Sequence, residues 1–201
     1  MSRFKYGAGM FSIISEKLAM ALTLPRYEDA HIMAELANSE DIAENVGSVG
    51  EFPYPYTEQD AINAIDSAIS SYELGMGYNF EVIPKDIDSP VGMAGIRNLN
   101  TYAKNAEMGF WTGKRYRGHG YTRAALLLLL GFCFKKLEMQ RVFATALKSN
   151  EKSLMLMESL GMKKEGVLRN AAITKSGPQD LVLLSILNGE FSPRFDIVFK
   201  E

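Results

Sequence analysis

Little in this sequence can carry thiol, metal or membrane chemistry. The single cysteine, Cys133, excludes an intrachain disulfide and suits a reducing compartment, the cytoplasm. Two histidines, His31 and His119, with that one cysteine give no basis for a metal cluster. No apolar run approaches the length of a membrane span. The longest, Ala124 to Phe134, is interrupted by Gly131 and flanked by Arg123 and Lys135, so it reads as a buried helix. A formal net charge of −2 disfavours general nucleic-acid binding. Repeats, low-complexity tracts and linkers are absent, and 201 residues suit one domain with a full core, spanning residues 1–201. The N-terminus imitates a secretory signal, with Arg3 and Lys5 ahead of "YGAGMFSII" and a cleavage-like "AMA" at 19–21. Glu16 and Lys17 break that apolar stretch, so "FSIISEKLAMALTLP" reads instead as two short strands of a mature domain.

What is present is an uneven distribution of charge. From Glu28 to Glu51 there are seven acids and no Lys or Arg; from Lys114 to Lys152 there are nine basic residues and two acids. An acidic front and a basic middle suit a protein that holds an anion with one part and meets a cation with the other, or they are two solvated faces.

The local patterns mix strands and helices. "PRYEDAHIMAELAN" reads as a helix with acids in its first turn. Thr57 and Asp60 read as a capping box ahead of the apolar stripe Ala61, Ile62, Ile65, Ala68, Ile69 and Tyr72. "YNFEVIP" and "PVGMAGIRNL" flank the turn-rich "KDIDS" as a hairpin, and "NAEMGFWTG" is a third strand, in which Gly109 suggests a bulge or a close backbone approach. "RVFATAL" is strand-like. "SNEKSLMLMESLG" reads as a helix capped by Ser149 and stopped by Gly161. "MKKEGVLRN" and "DLVLLSIL" close the chain as strands. The order implies an α+β domain around one largely antiparallel sheet, with a strand–helix–strand unit from about Ala106 to Leu147.

The most informative stretch is "GKRYRGHGYTRAALLLLL". A helix start leaves backbone N–H groups unpaired, and the macrodipole adds positive potential there. Gly118 and Gly120 let a phosphate approach that backbone, while Arg115 and Arg117 add charge, so the turn suits a phosphate or pyrophosphate. Neither G-x-x-x-x-G-K-[ST] nor a complete G-x-G-x-x-G is present. A tight turn with no ligand is the plainer reading of such a segment taken alone.

Taken with its surroundings, "RYRGHG" resembles the Arg/Gln-x-x-Gly-x-Gly/Ala loop of the GNAT superfamily of acetyl-CoA-dependent N-acetyltransferases, of the RimJ/RimL type. "AEMGFWTGKRYRGHGYTRAA", "SNEKSLMLMESLGMKKEGVLR", "FPYPYTEQDA" and "GPQDLVLLSIL" are similar to that group's blocks in the same order, from about Leu18 to Phe191. Arg123 stands where the family often has an acid, and Met162 replaces a common Phe. The resemblance implies a mostly antiparallel, splayed mixed sheet with helices on both faces. It implies transfer of an acetyl group from acetyl-CoA to a primary amine, a protein N-terminus or a small molecule, by direct attack in a ternary complex. A homodimer fits this type. The alternatives are a catalytically silent acyl-CoA sensor and a nucleotide-binding regulatory domain.

The resemblance also assigns residues. The coenzyme would lie against Phe110, Trp111 and Thr112, whose strand backbone pairs with the pantetheine arm. Its phosphates would meet Arg115, Tyr116, Arg117, Gly118, His119, Gly120 and Tyr121, and Asn150 and Ser153 match an Asn-x-x-Ser pair. Glu107 would accept the amine proton through water, or is simply a paired carboxylate in a hairpin. Ser153 would face the thiol, or is an ordinary helix-start serine. Phe52, Tyr54 and Tyr56 would wall the acceptor entrance, with the acidic segment nearby to draw in a cation, or anchor their loop. Tyr116 and Tyr121 suit loop packing, His31 and His119 the surface, and Cys133, Met155 and Met157 the core.

Overall fold

In a computed structural model, which describes residues 11–46 and 52–200, nine strands form one sheet in the order β7-β8-β6-β5-β4-β3-β2-β1-β9. The strands are β1 (Ser12–Ser15), β2 (Met20–Thr23), β3 (Tyr78–Pro84), β4 (Gly92–Asn100), β5 (Asn105–Thr112), β6 (Arg141–Leu147), β7 (Lys163–Thr174), β8 (Gly177–Leu187) and β9 (Val198–Lys200). Only β5 and β6 run parallel, joined across helix α4 (Tyr121–Lys135); every other neighbouring pair is antiparallel. The first two strands pair in full, so "SIIS" and "MALT" form strands of the sheet. Arg3 and Lys5 lie outside the described residues.

Strand alternation sends successive side chains to opposite faces, and each face has its own helices. On one side α4 is apolar nearly all round and buries Leu126, Leu128, Leu129, Leu130, Phe132 and Phe134 among strand residues such as Phe80, Ala94, Ile96 and Met108. Each such leucine contributes roughly 1.5–3 kcal/mol by leaving water. Helix α5 (Glu151–Ser159) adds Met157 to the same cluster. On the other side α1 (Ala30–Ala37) and α3 (Glu58–Glu73) pack Met33, Ala34, Ala61 and Ile65 against Met93 and Trp111. The α+β architecture with helices on both faces is therefore as the sequence implied. The remaining helix, α2 (Glu40–Val46), buries only Ile42.

Local chemistry sets the helix ends. Thr57 accepts from the Asp60 N–H while Asp60 accepts from the Thr57 N–H, so the capping box forms. The cap of α5 is Asn150, not Ser149. Its Oδ1 accepts from the Ser153 N–H at 3.2 Å, the spacing a cap needs to reach the third helical residue. Gly161, at φ +91°, ends that helix with Met162 N–H bonded to the Met157 carbonyl, a Schellman arrangement. Met157 is buried, but Met155 is 67% exposed; two residues apart on a helix they lie about 200° apart, so one core cannot take both.

Candidate active site

The site begins where β5 and β6 part. They pair only through Asn105↔Arg141, Ala106↔Val142 and Glu107↔Phe143, although β5 continues to Thr112 and β6 to Leu147. Beyond Glu107 the two backbones diverge. β5 keeps β4 on its other edge as far as Thr112, so the edge of Met108–Thr112 that faces β6 opens into a cleft. Such an edge accepts an extended amide-bearing chain as a strand would be accepted. Gly109 pairs in register with Gly95, and the β4–β5 irregularity falls at Arg97/Asn100, so Gly109 marks no bulge. Nor is it crowded: a Cβ there would meet nothing within 4 Å, which leaves the cleft floor open.

At the far end of β5 the basic turn leads into α4. Gly120 is the N-cap, and no side chain caps the helix, so its first N–H groups stay open for an anion. Gly118 and Gly120 both have φ +81°, the left-handed region that disfavours side chains, and each would present a Cβ to open space. Arg117 is aimed by a 3.0 Å bond from Nε to the Thr112 carbonyl and by an ion pair with Asp41 on α2. Burial pushes the Asp41 carboxyl up, but hydrogen bonds from Arg117 and Ser39 outweigh it and hold it below its ordinary value.

Two cavities meet beside the parted strands. One, of about 820 Å³, is lined by Phe110, Trp111, Thr112, Arg117, Gly118 and Gly120 together with Arg123, Lys152 and Ser153. The other, of about 1230 Å³, is lined by Glu107, Gly109, Phe52, Tyr56, Asp60 and Arg97 among others. Both are bounded by Phe110, Trp111, Asn150 and Ser153, and by Asn45 and Val46 of α2. Glu107 and Ser153 thus border one space. The first cavity is donor-rich and fits a phosphate-bearing chain; the second mixes apolar walls with a few polar groups and fits a smaller polar partner.

Glu107 is 7% exposed and heavily engaged. Its Oε2 accepts from Arg97 Nε at 3.2 Å and Asn98 Nδ2 at 2.7 Å. Its Oε1 accepts from Arg97 Nη2 at 3.1 Å and, at the long distance of 3.5 Å, from Thr145 Oγ1. Arg97 and Glu107 face each other in the β4–β5 register, which is why the pair forms.

A family profile described as the acetyltransferase (GNAT) domain matches residues 20–163 of the chain. The chain belongs to the GNAT family. It is accordingly an acetyl-CoA-dependent acyltransferase, of the N-acetyltransferase kind. It is similar to an uncharacterized N-acetyltransferase, p20, of Bacillus licheniformis, at 24% identity over 91% of this chain and 99% of that one. It is also similar to a putative ribosomal N-acetyltransferase, YdaF, of Bacillus subtilis, at 35% identity over 50% of this chain and 55% of that one. Among solved structures, Mycobacterium smegmatis RimJ in complex with CoA-disulfide superposes with a TM-score of 0.80 at 20% identity, over 93% of this chain and 91% of that one.

Not every residue singled out in the GNAT sequence pattern borders these cavities. Arg115, Tyr116, His119 and Tyr121 belong to the turn but line neither cavity. Arg115 bonds Glu35 at 2.5 Å and lies 5.0 Å from the Tyr116 ring, Tyr121 donates to Asp86 at 2.6 Å, and His119 stacks on Tyr121. The Asp86 hydrogen bond, with some burial, raises the Tyr121 phenol above its ordinary value. Phe52 and Tyr56 line the larger cavity with their rings tilted against each other, 5.0 Å between centroids, whereas Tyr54 stands outside its lining with Lys175 Nζ 5.8 Å from its ring. Cys133 is fully buried, its thiol pushed up to about 12 by that burial.

The acidic segment differs most from its sequence reading. Glu28 and Asp29 pair with Arg26, Glu35 with Arg115, Glu40 with Lys175 and Asp41 with Arg117. Most of the acids of the front are therefore held in ion pairs, two of them with Arg115 and Arg117 of the basic middle and the others with Arg26 and Lys175 outside it; Glu51 lies outside the described residues. Arg97, Asn98 and Thr145 went unrecognised in the sequence, although the hairpin register placing Arg97 opposite Glu107 was a usable signal. Among the described residues no group of His, Cys, Asp and Glu is placed to hold a metal, and no helix is long and apolar enough to cross a membrane.

Proposed function

We propose that the smaller cavity binds acetyl-CoA and the larger one a primary amine, with acetyl transfer by direct attack where they meet. The observation that carries this is the parting of β5 and β6 after Glu107, with the open helix start at one end and Ser153 beside the gap. The pyrophosphate lies on Gly118, Gly120 and the first N–H groups of α4, with Arg117 alongside. The pantetheine amides pair with the free edge of Met108–Thr112. A backbone N–H of that strand polarises the thioester carbonyl, and a donor fixed before the reaction stabilises the charge that develops on the oxygen.

The amine enters as an ammonium ion and loses one proton to become a nucleophile. Its nitrogen bonds the acetyl carbon, the carbon–sulfur bond breaks, and the nitrogen passes its second proton to Ser153 as Ser153 gives its own to the departing thiolate, which leaves the serine protonated and the thiol free. One proton is released overall. Glu107 takes the first proton through a water at Oε1, the oxygen whose contact with Thr145 is longest. A second reading is favoured by the four bonds that Glu107 already accepts: its carboxylate anchors the Arg97 guanidinium in the acceptor wall, and the transfer proceeds by positioning.

The acceptor wall carries Asp60, Arg97 and Glu107 as its charged groups, and Asn63, Ser67 and Asn79 as neutral hydrogen-bonding groups. With Arg97 and Glu107 paired, little net negative charge remains for a polycation. A peptide amino terminus therefore suits the wall better, and the likeness to a relative named as a ribosomal N-acetyltransferase supports that choice. The test is thiol release from acetyl-CoA across peptides with free N-termini, polyamines and amino-sugars. Peptides should give the highest kcat/KM. Acetyl-CoA should also stabilise the fold by about 2.7 kcal/mol at a hundredfold excess over its Kd. No thermal shift at millimolar CoA and no thiol release with any amine would defeat the reading.

A further inference from the structure

Helix α2 is seven residues long and buries one side chain, Ile42, so neither propensity nor core packing fixes its place. Side-chain ties fix it instead. Asp41 pairs with Arg117 of the basic turn, and Glu40 pairs with Lys175 at the β7–β8 tip. The third tie is Asn45. Its Nδ2 donates to the Asp41 carbonyl at 2.7 Å, and its Oδ1 accepts from Asn150 Nδ2 at 2.7 Å. Asn150 Oδ1 in turn accepts the Ser153 N–H at 3.2 Å. Reversing either amide would set oxygen against oxygen or N–H against N–H, so the orientation of the chain is determined. The Arg117 guanidinium thus holds the Asp41 side chain, and from the Asp41 backbone carbonyl hydrogen bonds run through Asn45 and Asn150 to Ser153, while Asn45 and Val46 bound both cavities.

We propose that Asn45 is a positioning residue for acetyl transfer, which holds the cap of α5, and with it Ser153, in register with the phosphate turn. The inference rests on the coenzyme and acceptor assignments above. Asn150 must keep its carbonyl on the Ser153 N–H. With its NH2 tied to Asn45 it has one orientation; without that tie it rotates, the cap loosens and Ser153 drifts from the parted strands. A displacement of about 1 Å at a reacting centre costs on the order of a hundredfold in rate. The phosphates are assigned to the glycine turn, and Asn45 only borders the coenzyme cavity from α2, so the effect should fall far more on turnover than on coenzyme affinity.

The experiment compares wild type, Asn45→Ala, Ser153→Ala and the double variant. It measures thiol release from acetyl-CoA with a peptide bearing a free N-terminal alanine or serine, and CoA affinity by calorimetry. Asn45→Ala should lower kcat by about tenfold or more with CoA Kd within about threefold. In the Ser153→Ala background it should lower kcat by less than about twofold, because the residue through which it acts is gone. Asn45→Asp keeps an oxygen for Asn150 Nδ2 but loses the bond to the Asp41 carbonyl, so it should recover part of the turnover. Should Asn45→Ala not fold, Asn45→Asp turnover within about tenfold of wild type is the expected result, and a larger loss with intact CoA binding overturns the inference. Effects of Asn45→Ala and Ser153→Ala that multiply, or an Asn45→Ala kcat within about twofold of wild type, also overturn it. A wild type that binds no CoA defeats the underlying reading first; an active wild type matched by Asn45→Ala defeats this inference alone.

Discussion

The cavity assigned to the coenzyme takes its largest share of lining from one run of chain, residues 110–123, and the rest from α2, the β6–α5 junction with the start of α5, and the β7–β8 tip. The cavity assigned to the acceptor takes its lining from eight elements, α1, α2, α3, β3, β4, β5, β6 and α5, together with the loop carrying Phe52 and Tyr56. A contiguous site is written as a motif, because neighbours in the chain are neighbours in space. A dispersed site has no motif, and each of its residues looks ordinary in its own element. One region therefore announces its ligand chemistry in sequence, and the other is assembled only by folding.

The sharpest way to test this division is at the border the cavities share. Glu107→Gln and Ser153→Ala should each lower turnover by roughly 10²–10⁴-fold if each moves a proton, with CoA affinity changed far less. The pH profile separates the two readings of Glu107. As a base, its loss flattens the rise of rate from about pH 6 to 9; as an anchor for Arg97, its loss lowers the whole profile and leaves the shape intact. Steady-state turnover with any accepted peptide decides between them. Near-normal turnover in both variants would show that positioning alone carries the reaction.

A smaller effect is expected on the coenzyme side alone. Gly120→Val places a branched side chain at φ +81°, which strains the turn by about 1–3 kcal/mol and fills the approach to the helix start. CoA affinity should fall roughly ten- to a hundredfold, equivalent to about 1.4–2.7 kcal/mol. A peptide should retain its binding, since Gly120 does not border the acceptor cavity. Calorimetric CoA binding in a folded variant checks this, and an unchanged Kd would remove the phosphate from the turn.

The same contrast explains what the chain revealed before it was folded. The β5–α4–β6 unit was legible because a period-two strand, a glycine turn and an all-apolar helix follow in order. The Thr57–Asp60 box was legible because capping is local. Other readings departed from the structure for identifiable reasons. Ser149 and Asn150 are both good caps, and only the reach to the Ser153 N–H selects Asn150. Met155 and Met157 were treated alike although a helix turns them to opposite sides. The acidic segment was read as drawing in a cation or as a solvated face, because its partners Arg115, Arg117 and Lys175 lie 80, 76 and 135 residues away from Glu35, Asp41 and Glu40. Composition shows opposite charges but not which of them will touch.

The smallest expected effect belongs to a pair outside both cavities, and it serves as their common control. On the C-terminal part of the sheet, Glu165 accepts two bonds from Arg141 and one from Ser185 Oγ at 2.6 Å. The Arg141 hydrogen bonds first, then that of Ser185, hold its carboxyl down at about 2, below the ordinary 4.5, against the opposing effect of burial. A carboxylate depressed in the folded state stabilises the fold above its unfolded pKa, and the contribution is lost as pH falls from about 4.5 towards about 2. The side chain is 40% exposed, so solvent screening limits the contribution to below about 1 kcal/mol. Glu165→Gln should therefore lower the melting temperature by no more than about 2–4 °C at pH 7. The gap from wild type should narrow steadily below about pH 4.5. CoA affinity and peptide KM should not move, because neither cavity includes Glu165. Urea or thermal unfolding between about pH 3 and 7 measures the gap. A gap that stays constant with pH would mean the pair contributes through packing and not through charge, and a change in CoA affinity would mean the cavities extend further along the sheet than their linings indicate.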